Sequence, residues 1–153
     1  MKTNTDTGNS YTFGDVVRFG AGTGSERFKQ DGWSDTEKQF TWTIGNSAKL
    51  TLSIPPNAGP LNLRVRLTGL TKAPQLAFQP VAILANGQKI ADWEVSRTAD
   101  FTAVIPAAIA KKGGILTIEL KTPKATSPKA LGMSNDARVL GVLCSELAIT
   151  KGG

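Results

Sequence analysis

The chain holds 153 residues, 40% of them apolar and 20% charged, and its 18 Lys and Arg against 12 Asp and Glu leave a net charge of +6. That length suits one domain with one core, and no apolar run approaches the roughly 20 residues that a membrane helix needs, which excludes a helical membrane span. Histidine is absent, which removes the commonest general base, the Ser-His and Cys-His nucleophile pairs and the His-bearing zinc sites, and leaves carboxylate chemistry as the surviving route to an enzyme.

The opening "MKTNTDTGNS" has no apolar stretch after its lysine and is not a secretory signal. Residues 1–10 are expected to form a flexible N-terminus ahead of a single β-sandwich domain at 11–150, with the final "KGG" frayed. The compartment stays open between the cytoplasm and a domain excised from a larger protein. "GAGTGSER" at 20–27 lacks the Gly-Lys-Ser/Thr ending of a phosphate loop and reads as a flexible turn.

Two tryptophans follow within "DGWSDTEKQFTWTIG". Phe40, Trp42 and Ile44 alternate with Thr41 and Thr43, which predicts a half-buried strand with its aromatic face inward and Trp42 as a core anchor burying on the order of 200 Å². Trp33 lies off that strand, beside Asp35, Glu37 and Lys38 and after Arg27. There it is open to two roles: a platform contacting a ligand, or a rim ring covering the end of the core. Sugar rings stack on aromatic faces while their hydroxyls take fixed polar partners, so Trp33, Arg27, Asp35, Glu37 and Lys38 form the first candidate ligand set.

Further strands are predicted at Leu50–Ile54 and over "LNLRVRL", which points Leu61, Leu63, Val65 and Leu67 one way and Arg64 and Arg66 the other, toward solvent or an anionic ligand. Asn86-Gly87 between two apolar runs predicts a type I′ hairpin. Trp93, on its second strand between Asp92 and Glu94, is a sixth candidate ligand residue. "DFTAVIP" and "GILTIELKTP" read as strands, "PAAIAKK" between them as one or two helical turns, and Val139–Thr150 as a central strand apolar on both faces. Cys144 within it is expected to be a buried, inert thiol. The irregular stretch 124–138 contains Asp136 and Arg138, read as a loop-buttressing pair.

About eight strands separated by Gly, Pro and Asn predict an all-β antiparallel sandwich with jelly-roll topology. Lys and Arg are spread rather than clustered, so no nucleic-acid partner is expected. No cofactor motif is present, and Asp15, Asp35, Glu37 and Asp136 lack the spacing of a calcium loop, so no metal site is assigned.

"GWSDTEKQFTWTIGNSAKLTLSI", "FQPVAILANGQKIADWEV" and "SPKALGMSNDARVLGVLCSELAI" together resemble bacterial jelly-roll domains of the galactose-binding-like kind, similar to carbohydrate-binding modules and attached to glycosyltransferases and other cell-surface-glycan enzymes. The resemblance spans roughly residues 32 to 149. It implies a non-catalytic module that binds a glycan or polysaccharide, with a fused or associated glycan-processing enzyme as its partner. Two other readings stay beside it: an accessory protein-interaction or oligomerisation domain, and an enzyme using Asp35 with Glu37 or Asp136.

Overall fold

A computed structural model describes residues 7–152 and contains nine strands in two antiparallel sheets. The strands are β1 (Val16–Arg18), β2 (Thr41–Ile44), β3 (Ser47–Ile54), β4 (Leu61–Gly69), β5 (Gln79–Ala85), β6 (Gln88–Val95), β7 (Ala99–Ile105), β8 (Gly114–Lys121) and β9 (Leu140–Lys151), with one helical turn, α1 (Ala107–Ala110), before β8. This is the expected all-β jelly-roll sandwich. The strand the periodicity missed is β1, whose three residues are too few to show alternation.

One sheet runs β3-β8-β5-β6. In the other, β9 is the middle strand: β4 and then β7 lie on one side, while β1 and β2 share its other side end to end. Period-two patterning decides what each sheet buries. Leu61, Leu63, Val65 and Leu67 of β4 face Leu50, Leu52, Ile83, Leu116 and Ile118 of the second sheet across a shared apolar core. Cys144 is buried in it, and burial pushes its thiol far above the ordinary value, so it is inert as expected. The Asn86-Gly87 turn joins β5 to β6 with both residues at positive φ, 49° and 83°.

One flank of the sandwich is closed by the chain between β1 and β2. Gln30 donates to the Lys49 carbonyl and Lys49 N–H to Asp31 on the β3 side; Ile44 N–H donates to Gly32 and Ser34 N–H to Trp42 on the β2 side. This strap allows no side chain at Gly32, which sits at φ 93°, because a methyl there would run into the Ser47 carbonyl and reach 2.6 Å from Ala48 Cα.

Residues 1–6 lie outside the described residues, but Thr7–Asn9 form a 3-10 turn and Ser10 bridges Ser53. At the other end, Lys151 belongs to β9 and Gly152 N–H donates to the Pro60 carbonyl at 2.9 Å.

Candidate functional site

Of the two tryptophans of the opening motif, Trp42 is not the expected core anchor, whereas Trp33 takes the second of its two expected roles, a ring that covers the core. In β2 the buried residues are Thr41 and Thr43, both 0% exposed, whereas Trp42 is half-buried on the outer face of the sheet. Threonine succeeds in the core here because each hydroxyl is satisfied. Thr41 Oγ1 donates to the Phe19 carbonyl at 2.8 Å and accepts from Lys29 Nζ, and Thr43 Oγ1 accepts the Val142 N–H at 3.1 Å. The second bond supplies a partner where the β2–β9 register shifts between Trp42 and Ile44. Trp33, by contrast, packs against the core, stacks on the fully buried Phe19 ring at 5.5 Å and donates its indole N–H to the Lys49 carbonyl at 2.9 Å.

The residues expected around Trp33 are dispersed. The Arg27 guanidinium lies 4.7 Å over the Phe28 ring and borders a separate hollow with Tyr11 and Asp15. Asp35 is exposed. Glu37 faces Arg138 at 3.8 Å, and the same guanidinium donates to both Asp136 oxygens and to Ser34 Oγ. Those donors, with the Arg138 N–H, hold the Asp136 carboxyl below its ordinary value. A guanidinium between Glu37 and Asp136 makes this a loop-fixing ion cluster of the kind the sequence suggested for Asp136 and Arg138. Trp93 is 8% exposed: its ring faces inward, sits 5.5 Å from Phe101 and donates to the Thr102 carbonyl, closing the β6–β7 flank.

Lys38 is the expected residue that borders a hollow on the outer face of the five-stranded sheet. This hollow, of about 440 Å³, is lined by Arg18, Gly20, Thr23, Lys38, Gln39, Phe40, Arg66, Ser145 and Glu146, a volume within the roughly 300–1,000 Å³ of small-ligand clefts. Its origin is topological. β1 ends at Arg18 opposite Glu146, β2 begins at Thr41 opposite Cys144, and Ser145 lies between. The half-strands meet along β9 at that point, where Phe19 N–H donates to the Ser145 carbonyl, and a turn closed by Glu37 N–H donating to the Phe40 carbonyl brings Lys38, Gln39 and Phe40 beside it. Buried Lys29 ties this turn down by donating to Thr36 Oγ1 at 2.8 Å and to Thr41 Oγ1 at 3.2 Å, and the desolvation lowers its ammonium's pKa.

Phe40, which lines the hollow, meets Trp42 edge to face at 6.4 Å and 87°, and both rings are half-buried. Trp42, Leu143 and Thr68 lie side by side across β2, β9 and β4. From the hollow outward, Arg18 pairs with Glu146 at 2.7 Å, Arg64 with Glu146 and Asp100 at 3.3 Å each, and Arg66 with Asp100 at 3.3 Å. Sequence reasoning had placed Arg64 and Arg66 on this face; it missed Phe40 and Trp42 because alternation separates two faces without saying which is inside.

Fold comparison places this sandwich among known structures. The CBM36-1 domain of a multidomain xylanase from the hindgut metagenome of Trinervitermes trinervoides superposes with a TM-score of 0.56 at 16% identity, covering 91% of this chain and 98% of that one. The fold is that of carbohydrate-binding modules. A further carbohydrate-binding-module fold, the CBM22-1 xylan-binding domain of Xyn10C from Paenibacillus barcinonensis, gives a TM-score of 0.55 at 13% identity over 94% of this chain and 99% of that one. CsCBM6-3 from Clostridium stercorarium, solved with cellobiose, gives 0.51 at 11% identity over 94% and 97%. No protein-family model and no curated protein matches the chain by sequence. Among the described residues, no cluster of three or more His, Cys, Asp or Glu side chains is arranged to hold a metal ion, and no helix is long and apolar enough to cross a membrane.

Proposed function

We propose that this chain is a non-catalytic carbohydrate-binding module whose glycan lies on the outer face of the five-stranded sheet, against Phe40 and Trp42. The observation that carries the reading is a half-buried aromatic pair, one ring of which, Phe40, lines a polar hollow, on a sandwich with the carbohydrate-binding-module fold. A pyranose ring stacked on Phe40 or Trp42 puts its hydroxyls among Gln39, Ser145, Glu146 and the guanidinium groups, which supply fixed donors and acceptors. Trp33 then serves the site indirectly, by fixing the strap that leads into the Lys38–Phe40 turn. The carboxylates of Glu37 and Asp136 are engaged by Arg138, which argues against their use as an acid–base pair. Large exposed apolar side chains among the described residues lie on β1, β7, β8 and the loop before β9. The positioning of a fused or associated enzyme on its glycan is part of the proposal.

Calorimetric titration of the chain and of Phe40→Ala and Trp42→Ala with neutral and acidic oligosaccharides tests the reading. At least one saccharide should bind, and each variant should lose most of that affinity while remaining folded. Absence of binding to every saccharide at millimolar concentration, or full affinity in both variants, overturns it.

A further inference from the structure

The lining of the hollow is unbalanced in charge: Arg18, Lys38 and Arg66 face one carboxylate, Glu146. That carboxylate is already engaged by Arg18 at 2.7 Å and Arg64 at 3.3 Å, and Arg66 has only Asp100, which it shares with Arg64. Lys38 is exposed and has no carboxylate within ion-pair distance among the described residues. The hollow therefore presents one unpaired ammonium and one under-paired guanidinium beside an aromatic ring, and it is open at the sheet surface.

Resting on the glycan-binding reading above, we infer that the site selects acidic sugars, specifically a hexuronic acid whose ring carboxylate is received by Lys38 and Arg66 while the ring lies against Phe40. The charge complementarity is local, since three cations against one anion line this single hollow. A carboxylate accepts charge-assisted hydrogen bonds from a guanidinium fork and an ammonium, bonds about twice as strong as neutral ones. The ring attachment matters as well. In a uronic acid the charged group is bonded directly to the sugar ring, so a ring on Phe40 projects it sideways into the hollow; a ring sulfate ester, with an oxygen and a sulfur in place of the carboxyl carbon, holds its charge one atom farther out. A neutral sugar in the same pose gains the stacking but leaves both cations unanswered.

The test titrates the chain, Lys38→Gln and Arg66→Gln with trigalacturonate, with galactotriose as its neutral counterpart, with a sulfated disaccharide and with a short oligothymidylate, at low and moderate salt. Trigalacturonate is expected to bind more tightly than galactotriose, to weaken about tenfold in each variant and to weaken as salt rises. Lys38→Gln should weaken galactotriose binding far less than it weakens trigalacturonate binding. Equal affinity for the acidic and neutral trisaccharides overturns the acid-sugar inference and leaves the glycan site standing. Preference for the sulfated sugar, or Lys38-dependent binding of the oligothymidylate at least as tight as that of trigalacturonate, overturns it in favour of another anion. No binding of any saccharide by the folded chain removes the glycan reading itself.

Discussion

Removing each tryptophan of the opening motif in turn should reveal which one supports the core. Trp33→Ala deletes a ring stacked on fully buried Phe19 and the hydrogen bond from its indole to the Lys49 carbonyl, the contact that pins the strap to β3. Truncating a buried Trp to Ala costs roughly 3–5 kcal/mol, and because this ring is partly open to solvent the lower end applies, about 3 kcal/mol. Trp42→Ala removes an edge-to-face contact with Phe40 on the outer face of the sheet, worth about 1 kcal/mol. Against a total stability of roughly 5–15 kcal/mol the difference is large. With a urea slope of about 2 kcal/mol/M, the unfolding midpoint should drop by roughly 1.5 M for Trp33→Ala and by roughly 0.5 M for Trp42→Ala. Urea titration followed by circular dichroism, with unchanged slopes, measures both. A Trp42→Ala loss equal to or greater than that of Trp33→Ala refutes the assignment of the two rings to core and surface.

Thr43→Val, which makes a core residue more apolar, should nonetheless destabilise by about 1–3 kcal/mol in the same urea assay, because the buried Val142 N–H loses its acceptor. Gly32→Ala should lower stability by at least as much as Trp33→Ala, since an added methyl meets backbone atoms of both Ser47 and Ala48 at a positive φ; a change below about 0.5 kcal/mol contradicts the close approach. The Asp136 carboxyl is held below its ordinary value of 3.8 by the Arg138 side chain and then the Arg138 N–H, so its contribution is complete above that value and is lost as pH falls through the lowered one. The Arg138 Nε–H resonance should lose its hydrogen-bonded shift only below the ordinary aspartate value in the native chain, and show no such transition in Asp136→Asn.

Most strands were legible because their alternation is unambiguous: "LNLRVRL" has leucines and valine on one face and arginines on the other, and Asn86-Gly87 leaves little choice but a hairpin. The phase of "FTWTI" was legible too. Its polarity was not, because burying Thr41 and Thr43 depends on partners far away in sequence, Phe19, Lys29 and Val142, that become visible only when β2 lies against β9. The hollow was hidden for a related reason: it is bounded by the meeting of two half-strands and by Ser145, where the pairing of β4 with β9 shifts register between Cys144 and Glu146. Local sequence carries no mark of two strands sharing a third. Lys38 was singled out for its polarity near an aromatic residue; the ring it accompanies on the sheet face is Phe40 rather than Trp33.

The central position of β9 bears on how the molecule assembles. The strand that joins β1, β2 and β4 into one sheet is the last of the nine, and its pairing with β1 sets Val16 against Ala148. During vectorial synthesis β4 and β7 can pair early, but the unfilled edge of β4 waits for a segment made after the other eight strands. Until then, its leucines and an open ladder of N–H and C=O groups are available to neighbouring chains. Such long-range closure belongs with folding on the order of milliseconds to seconds. Deletion of β9 is therefore expected to yield an aggregating product, whereas a break at the Asn86-Gly87 turn, between two locally paired strands, should be far better tolerated.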